Sequence, residues 1–362
     1  MFDWYPILDK IIKEEIDKGQ RVAIYTQGMI GLYARDILNK RYGREGIYVD
    51  NHLAEYNKEI ITIDCFMDLD AEDISIIVCA SDIKLNEKLQ DGLRKRAVKA
   101  TIRSLWEKPQ ITSVSGKDYA WLGQIKKLCL VAKAKGIPLV RMGRQNDGGY
   151  VLLNDFSGIK TAYGFGIGGD CSFEKDLGEA GLNVYCYDPT IDHLPESHFR
   201  LHFEKIGISG KDMEIEGCPT MLSMESILER NTHQKEENMI LKMDVEGAEW
   251  NFINSTTSET LERFAQMTFE FHYLTSEEKR AEIFSALEKI NKTHQAVWVH
   301  ANSVCGGVDT GEELFPNVLE ITYANKRRYQ FEDIDYNSPL PIDSSNRVGI
   351  LDLPLRHWGK LK

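Results

Sequence analysis

The stretch IKTAYGFGIGGD (159–170) decides how this chain folds. An apolar strand runs straight into Gly164, Gly166, Gly168 and Gly169, and the pattern after it predicts a helix starting near Ser172. Phe173, Leu177 and Ala180 would form that helix's inner face. Glycines at this position let backbone approach a ligand closely, and a helix amino end favours polar or anionic groups. The next strand, NVYCYDP (183–189), ends on Asp188, 24 residues after Gly164. A carboxylate there suits ribose hydroxyls, as in dinucleotide folds. A nucleoside pocket is the favoured reading over a tight structural turn.

Working outward, ENMILKMDVEGAE (237–249), RFAQMTFEFHYL (263–274), QAVWVHANS (295–303) and NVLEITYAN (317–325) read as further strands. EEKRAEIFSALEKINKT is an amphipathic helix between the second and third of these. Strands alternating with helices imply a doubly wound parallel sheet with helices on both faces. A smaller α/β pattern precedes it: RVAIY (21–25), GIYVDN (46–51), EIITID (59–64) and DISIIVCAS (73–81). There Gly28, Gly31 and Asp50 repeat the glycine-then-acid arrangement weakly. Two glycines are fewer than the dinucleotide fingerprint demands, so packing or partner recognition is favoured over a bound nucleotide. Residues 85–108 read as helical and charged, and a helix is expected at about 118–135. The boundary falls in the loop KPQITSVSGKD, giving a front domain at 1–110 and a rear domain at 111–362.

With 362 residues the chain is long enough for two domains. A net charge of -12 and a pI near 5.3 argue against nucleic acid or an anionic membrane as main partner. The acidic amphipathic start is no signal peptide, and no segment reaches the roughly 18 apolar residues of a membrane helix. Seven scattered cysteines without a CxxC pair suggest neither a disulfide framework nor a zinc knuckle. A reduced, cytoplasmic setting follows, and self-association is left open.

The charged positions carry the chemistry. In MILKMDVEGAEW (239–250), Lys242, Asp244 and Glu246 alternate with apolar residues, and Gly247 permits a sharp turn into a helix near Ala248. Burying such groups is costly unless they are paired or at work. Asp244 and Glu246 fall at the carboxyl end of their strand, where doubly wound sheets bind ligands. The alternative is that both acids cap the helix and pair with Lys242. In TFEFHY (268–273), Phe269, Phe271 and Tyr273 would share one face, and Glu270 and His272 the other. A histidine beside a carboxylate suits a general base, set against a buried pair with no catalytic duty. His300 and Asn302, with Glu320 similar, would line an acceptor pocket or serve as ordinary loop and strand residues. A metal drawn from Asp244, Glu270 and His272 lacks HxH or HExxH spacing, so none is expected. Asp147, Gly148, Gly149 and Tyr150 form a turn before an apolar strand, placed to cover a donor pocket.

The rear domain resembles the FkbM-type methyltransferases. The likeness rests on LKMDVEGAEW (241–250), GFGIGG (164–169), YDP (187–189), LSMESIL (222–228) and FEFHY (269–273), and spans roughly 138–325. RMGRQNDGGYVL (141–152) is similar to the opening motif of a subgroup. The resemblance implies a class I methyltransferase-like, Rossmann-like sheet and S-adenosyl-L-methionine as cofactor. It also implies methylation of a hydroxyl. Donor contacts would come from Gly164, Gly166, Gly168, Asp188, Asp244 and Glu246. Catalytic duty would fall to His272, Asp244 and Glu270, and acceptor contacts to His300, Asn302 and Tyr150. In one respect the chain departs from methyltransferases at large. Many carry an acid two positions before the first glycine to hold the methionine amino group, and Ala162 stands there. Asp170, Glu174 or Asp147 must then supply that contact. The front domain resembles Rossmann-like modules beside bacterial sugar-modifying enzymes, which points to a sugar or surface-glycan precursor as the small-molecule acceptor. An acidic oxygen, such as a phosphate-type acceptor, is the nearest variant. An NAD-dependent oxidoreductase or epimerase using the front loop, and a binding protein without chemistry, are the rival readings.

Overall fold

In the computed structural model the described residues are 5–80, 82–106, 110–113, 119–214, 219–311, 313–347 and 349–360. The expected loop at 108–118 lies largely outside them, and its described part forms a short strand instead, Ile111–Ser113, paired with Gly307–Asp309. The chain divides into two compact units, 1–108 with 348–351, and 109–347 with 352–362. The short return of 348–351 to the first unit has no counterpart in the sequence reading.

The first unit is a five-stranded parallel sheet, β1 (Arg21–Tyr25), β2 (Ile47–Val49), β3 (Ile60–Ile61), β4 (Ile74–Val78) and β5 (Thr101–Ser104), in the order β3-β2-β1-β4-β5. Every residue of β4 is buried, as a β-branched run covered on both faces requires. β5 corrects the expectation of continuous helix over 85–108. The helix there, Ile83–Lys95, stops at Arg96, and Ala97 takes a positive φ of 52° that ends it. Likewise EIITID is a strand for two residues only. Thr62 then caps a short helix, its side chain accepting the Cys65 N–H.

The second unit holds a seven-stranded sheet: β6 (Thr161–Phe165), β7 (Asn183–Tyr187), β8 (Leu201–Glu204), β9 (Met239–Met243), β10 (Phe264–Phe271), β11 (His294–Ala301) and β12 (Leu319–Asn325). Their order is β8-β7-β6-β9-β10-β12-β11. β12 runs antiparallel between β10 and β11, and the remaining pairings are parallel. This is the doubly wound α/β sheet of the Rossmann-like class that the sequence reading anticipates. The helix expected at 118–135 is shorter, Ala120–Leu128, and a strand at Lys133–Ala134 follows. A hairpin of Leu139–Met142 with Tyr150–Leu153 precedes β6. No described helix is long and apolar enough to cross a membrane.

Candidate active site

The strand order reverses between β6 and β9. In a parallel sheet that reversal leaves a crevice beyond the carboxyl ends of the strands. A cleft of about 550 Å³ lies there, a size typical of small-molecule sites. Its walls come from the loop after β6, the end of β7, the loop after β9 and the hairpin turn with Arg144 and Asp147.

The glycine loop divides into two jobs. Gly166 has φ +76°, and a Cβ there would stand 1.6 Å from the Asp244 carbonyl oxygen. The loops after β6 and β9 therefore touch backbone to backbone, which only glycine permits. Gly168 and Gly169 meet nothing within 4 Å and border the open cleft. Gly164, expected to face the ligand, is buried in β6 instead, and the room left by its missing side chain is filled by Glu174.

Asp188 ends β7 as the spacing requires, yet its oxygens are taken. Oδ2 accepts the Ile167 and Gly168 N–H groups, both at 2.8 Å, and Oδ1 accepts the Thr190 N–H and hydroxyl. Burial pushes its acidity down, and these donors together outweigh it, holding the carboxyl below its usual range. A ribose hydroxyl can join only by displacing the rotatable Thr190 hydroxyl. Asp170 is similarly engaged by the Ser172 N–H and hydroxyl and, at 3.1 Å, by Arg144. That ion pair ties the hairpin turn to the glycine loop, and Asp147 stands exposed on the rim.

At the end of β9, buried Lys242 donates to the Gly166 carbonyl and lies 3.9 Å from Asp244. Tyr150, expected to meet the acceptor, is buried and donates its hydroxyl to Asp244 Oδ2 at 2.9 Å. Its work is to aim Asp244. Glu246 sits at φ +55° with its side chain exposed, and Gly247, at φ +103°, completes the turn. Neither acid caps the following helix, Glu249–Ser255. Glu249, in its first turn, reaches back to accept the Val245 N–H of the preceding turn at 3.0 Å.

Glu249 is the candidate site residue the sequence reading misses. His272 follows β10, and its Nδ1 lies 3.1 Å from Glu249 Oε1 rather than beside Glu270. Its Nε2 faces Glu246 Oε2 at 3.4 Å. Burial lowers the tendency of this imidazole to protonate, but Glu249, with Asp244 and Glu246, outweighs burial, and its pKa rises above the ordinary value. The Trp250 indole donates to the His272 carbonyl, fixing the backbone. Tyr273, at φ +60°, leaves the strand pattern and is exposed, so it does not share the buried face of Phe269 and Phe271. The signal for Glu249 was present, three residues after Glu246 on the first turn of a helix that starts beside His272.

Three acceptor-side expectations are corrected together. Register sets Glu270 beside Glu320 and Glu320 beside His300 on neighbouring strands. Adjacent like charges are unfavourable, and the structure resolves this in two ways. Burial, then Asp244 and Glu320, push the Glu270 carboxyl well above its usual range, and Asn302 donates to it at 2.5 Å. His300, wholly buried, lies 3.2 Å from both Glu320 and Asp352. Burial works against its charge, but the two acids prevail and raise its pKa to about 10. His300 and Asn302 therefore steady the acids behind the cleft instead of lining it. The donor atoms of Asp244, Glu246 and His272 come within 4.8 Å of one another, a convergence the linear spacing hid.

The front glycine loop looks different. A Cβ on Gly31 would stand 1.9 Å from the Thr26 carbonyl oxygen, so its glycine serves chain packing. Asp50 accepts the N–H groups of Gln27, His52 and Leu53 and so ties two loops together.

Comparison with known proteins bears on the second unit. Residues 191–330 match the family model of the methyltransferase FkbM domain. The matched segment contains Asp244, Glu246, Glu249, Glu270 and His272, and begins after the glycine loop. The crystal structure of methyltransferase FkbM from Methylobacillus flagellatus KT is similar at 10% identity and a TM-score of 0.37, over 86% of this chain and 92% of that one. Among curated proteins none is significantly similar.

Proposed function

We propose that this chain, whose residues 191–330 match the methyltransferase FkbM domain, transfers the methyl group of S-adenosyl-L-methionine to a hydroxyl of a small polar acceptor, a sugar or surface-glycan precursor. The observation that carries this reading is the Glu249–His272 pair, its Nε2 turned toward the acids after β9 at the edge of the cleft. The donor reading is supported by the open cradle at Gly168 and Gly169, and by an unpartnered buried carboxylate oxygen on Glu174 in the cleft wall. Bound there, the donor supplies an activated methyl group, so the chain must align the acceptor and take its proton. His272 Nε2 is the base, Glu249 fixes the ring's tautomer, and Asp244, aimed by Tyr150, favours the imidazolium that forms. A cytoplasmic reaction fits this chemistry.

The carboxylates of Asp244, Glu246 and Asp147 border the place an acceptor would occupy, and they would repel an anionic one. That favours a neutral hydroxyl over a phosphate-type oxygen, whose transfer would need no base. The front loop offers the NAD reading no such support. The test combines titration with S-adenosylhomocysteine and NAD with mass spectrometry of acceptors incubated with the donor. His272→Ala should keep donor binding while turnover falls about 10²- to 10⁴-fold. Full turnover in that variant would remove the base role.

A further inference from the structure

We propose that Glu174 holds the α-ammonium group of the donor's amino-acid end, replacing in space the acid that the strand lacks at Ala162. This rests on the donor reading above. Positions 162 and 164 lie on the same face of β6, because side chains alternate along a strand. Both are nearly bare, one alanine and one glycine. Over that face reaches Glu174 from the first turn of the helix Ser172–Glu179, with Oε1 2.7 Å from where a Gly164 Cβ would stand. The carboxylate usually carried by the strand is thus delivered to the same face by the helix.

The state of Glu174 points to a cationic ligand. The residue is 1% exposed, borders the cleft, and its Oε1 has no hydrogen-bond partner among the described residues. A buried carboxylate oxygen left in this condition is costly unless something else satisfies it. Burial holds the Glu174 carboxyl above its usual range, as expected of an acid with no cation against it. Lys242 opposes this electrostatically, yet no hydrogen bond or ion pair joins the two among the described residues. The Lys242 ammonium is instead turned to the Gly166 carbonyl and Asp244. The other two candidates for the contact are occupied or displaced. Asp170 is held by Ser172 and Arg144, and Asp147 stands on the hairpin rim. An ammonium donates up to three hydrogen bonds and would satisfy Glu174 directly.

The experiment is calorimetric titration of the full chain with two thioethers, S-adenosylhomocysteine and 5′-methylthioadenosine. They share the nucleoside, and only the first carries the amino-acid end. Wild-type protein should prefer S-adenosylhomocysteine. Glu174→Gln, which keeps the side chain's size, should weaken that ligand about 10- to 100-fold and leave 5′-methylthioadenosine unchanged. Glu174→Asp, which keeps the charge but shortens the reach, should fall between. An unchanged ratio in Glu174→Gln overturns the inference. Equal loss of both ligands also overturns it, because it marks Glu174 as scaffold for the cleft. Failure of wild-type protein to bind either compound overturns the donor reading itself, and this one with it.

Discussion

His272 shows how much a single residue's role depends on what stands behind it. The alternation in TFEFHY suggested Glu270 as its partner, since both side chains would share a strand face. The strand ends at Phe271, however, and the imidazole turns toward Glu249. A carboxylate on Nδ1 stabilises the imidazolium, so removing its charge must lower the folded-state pKa. Glu249→Gln should therefore move the acidic limb of the pH–rate profile to lower pH, because His272 becomes a free base sooner. Its maximal rate should fall as well, through a weaker base and a less fixed ring. A profile that stays in place would show that another group titrates in the reaction. At this scale the sequence announces residue types and misassigns partners. Tyr150, Asn302 and His300 have the chemistry of acceptor contacts, but burial converts each into a support for an acid. Burial of that kind depends on neighbours distant in the chain, which a local pattern does not contain.

Elements were more legible than their side chains' duties. The apolar runs at 161–165, 239–243 and 264–271 become neighbouring strands buried on both faces, with 183–187 beside them partly covered on one face, as a sheet with helices packed against it requires. The misses lie where one residue overrides a periodic pattern. β5 was hidden because Thr101–Ser104 carries Arg103 and is only partly buried, so it reads as the continuation of a charged helix. Ala180 falls one residue past its helix and is exposed, and so leaves the inner face assigned to it. The glycine loop makes a sharper statement at this level, because its glycines are not equivalent. Gly166 is required by the carbonyl of Asp244, whereas Gly169 faces open space without a positive φ. Gly166→Ala should force apart the loops after β6 and β9. A loss of several kcal/mol, beyond the roughly 1 kcal/mol of an ordinary glycine replacement, should appear in denaturant melts together with loss of S-adenosylhomocysteine binding. Gly169→Ala should leave the melt within about 0.5 kcal/mol of wild type. Equal melts for the two variants would contradict the contact between the loops.

The whole molecule carries its acidity unevenly, and that sets how its stability responds to pH. Behind the cleft, His300 is enclosed by Glu320 and Asp352, with Asn346 donating to Glu320 and Trp298 stacked on the ring at 5.9 Å. Two acids beside one imidazole, Glu320 buried and Asp352 half-buried, keep it charged, and its folded pKa of about 10 lies far above the ordinary 6.5. A raised pKa means that the folded state binds the proton more tightly than the unfolded chain does. The stabilisation is therefore complete below about 6.5 and is lost progressively as pH rises through about 10. A His300→Gln variant isolates this contribution from the other groups that titrate at high pH. At neutral pH it leaves buried Glu320 and half-buried Asp352 without their cation, so it should melt well below wild type. As pH approaches about 10, wild-type His300 loses its proton and faces the same uncompensated acids. The gap between the two melting temperatures should then close from the wild-type side. A gap that stays constant from neutral to alkaline pH would mean that His300 contributes by packing alone. The charge balance behind the cleft would then have to rest on protonated acids rather than on an imidazolium.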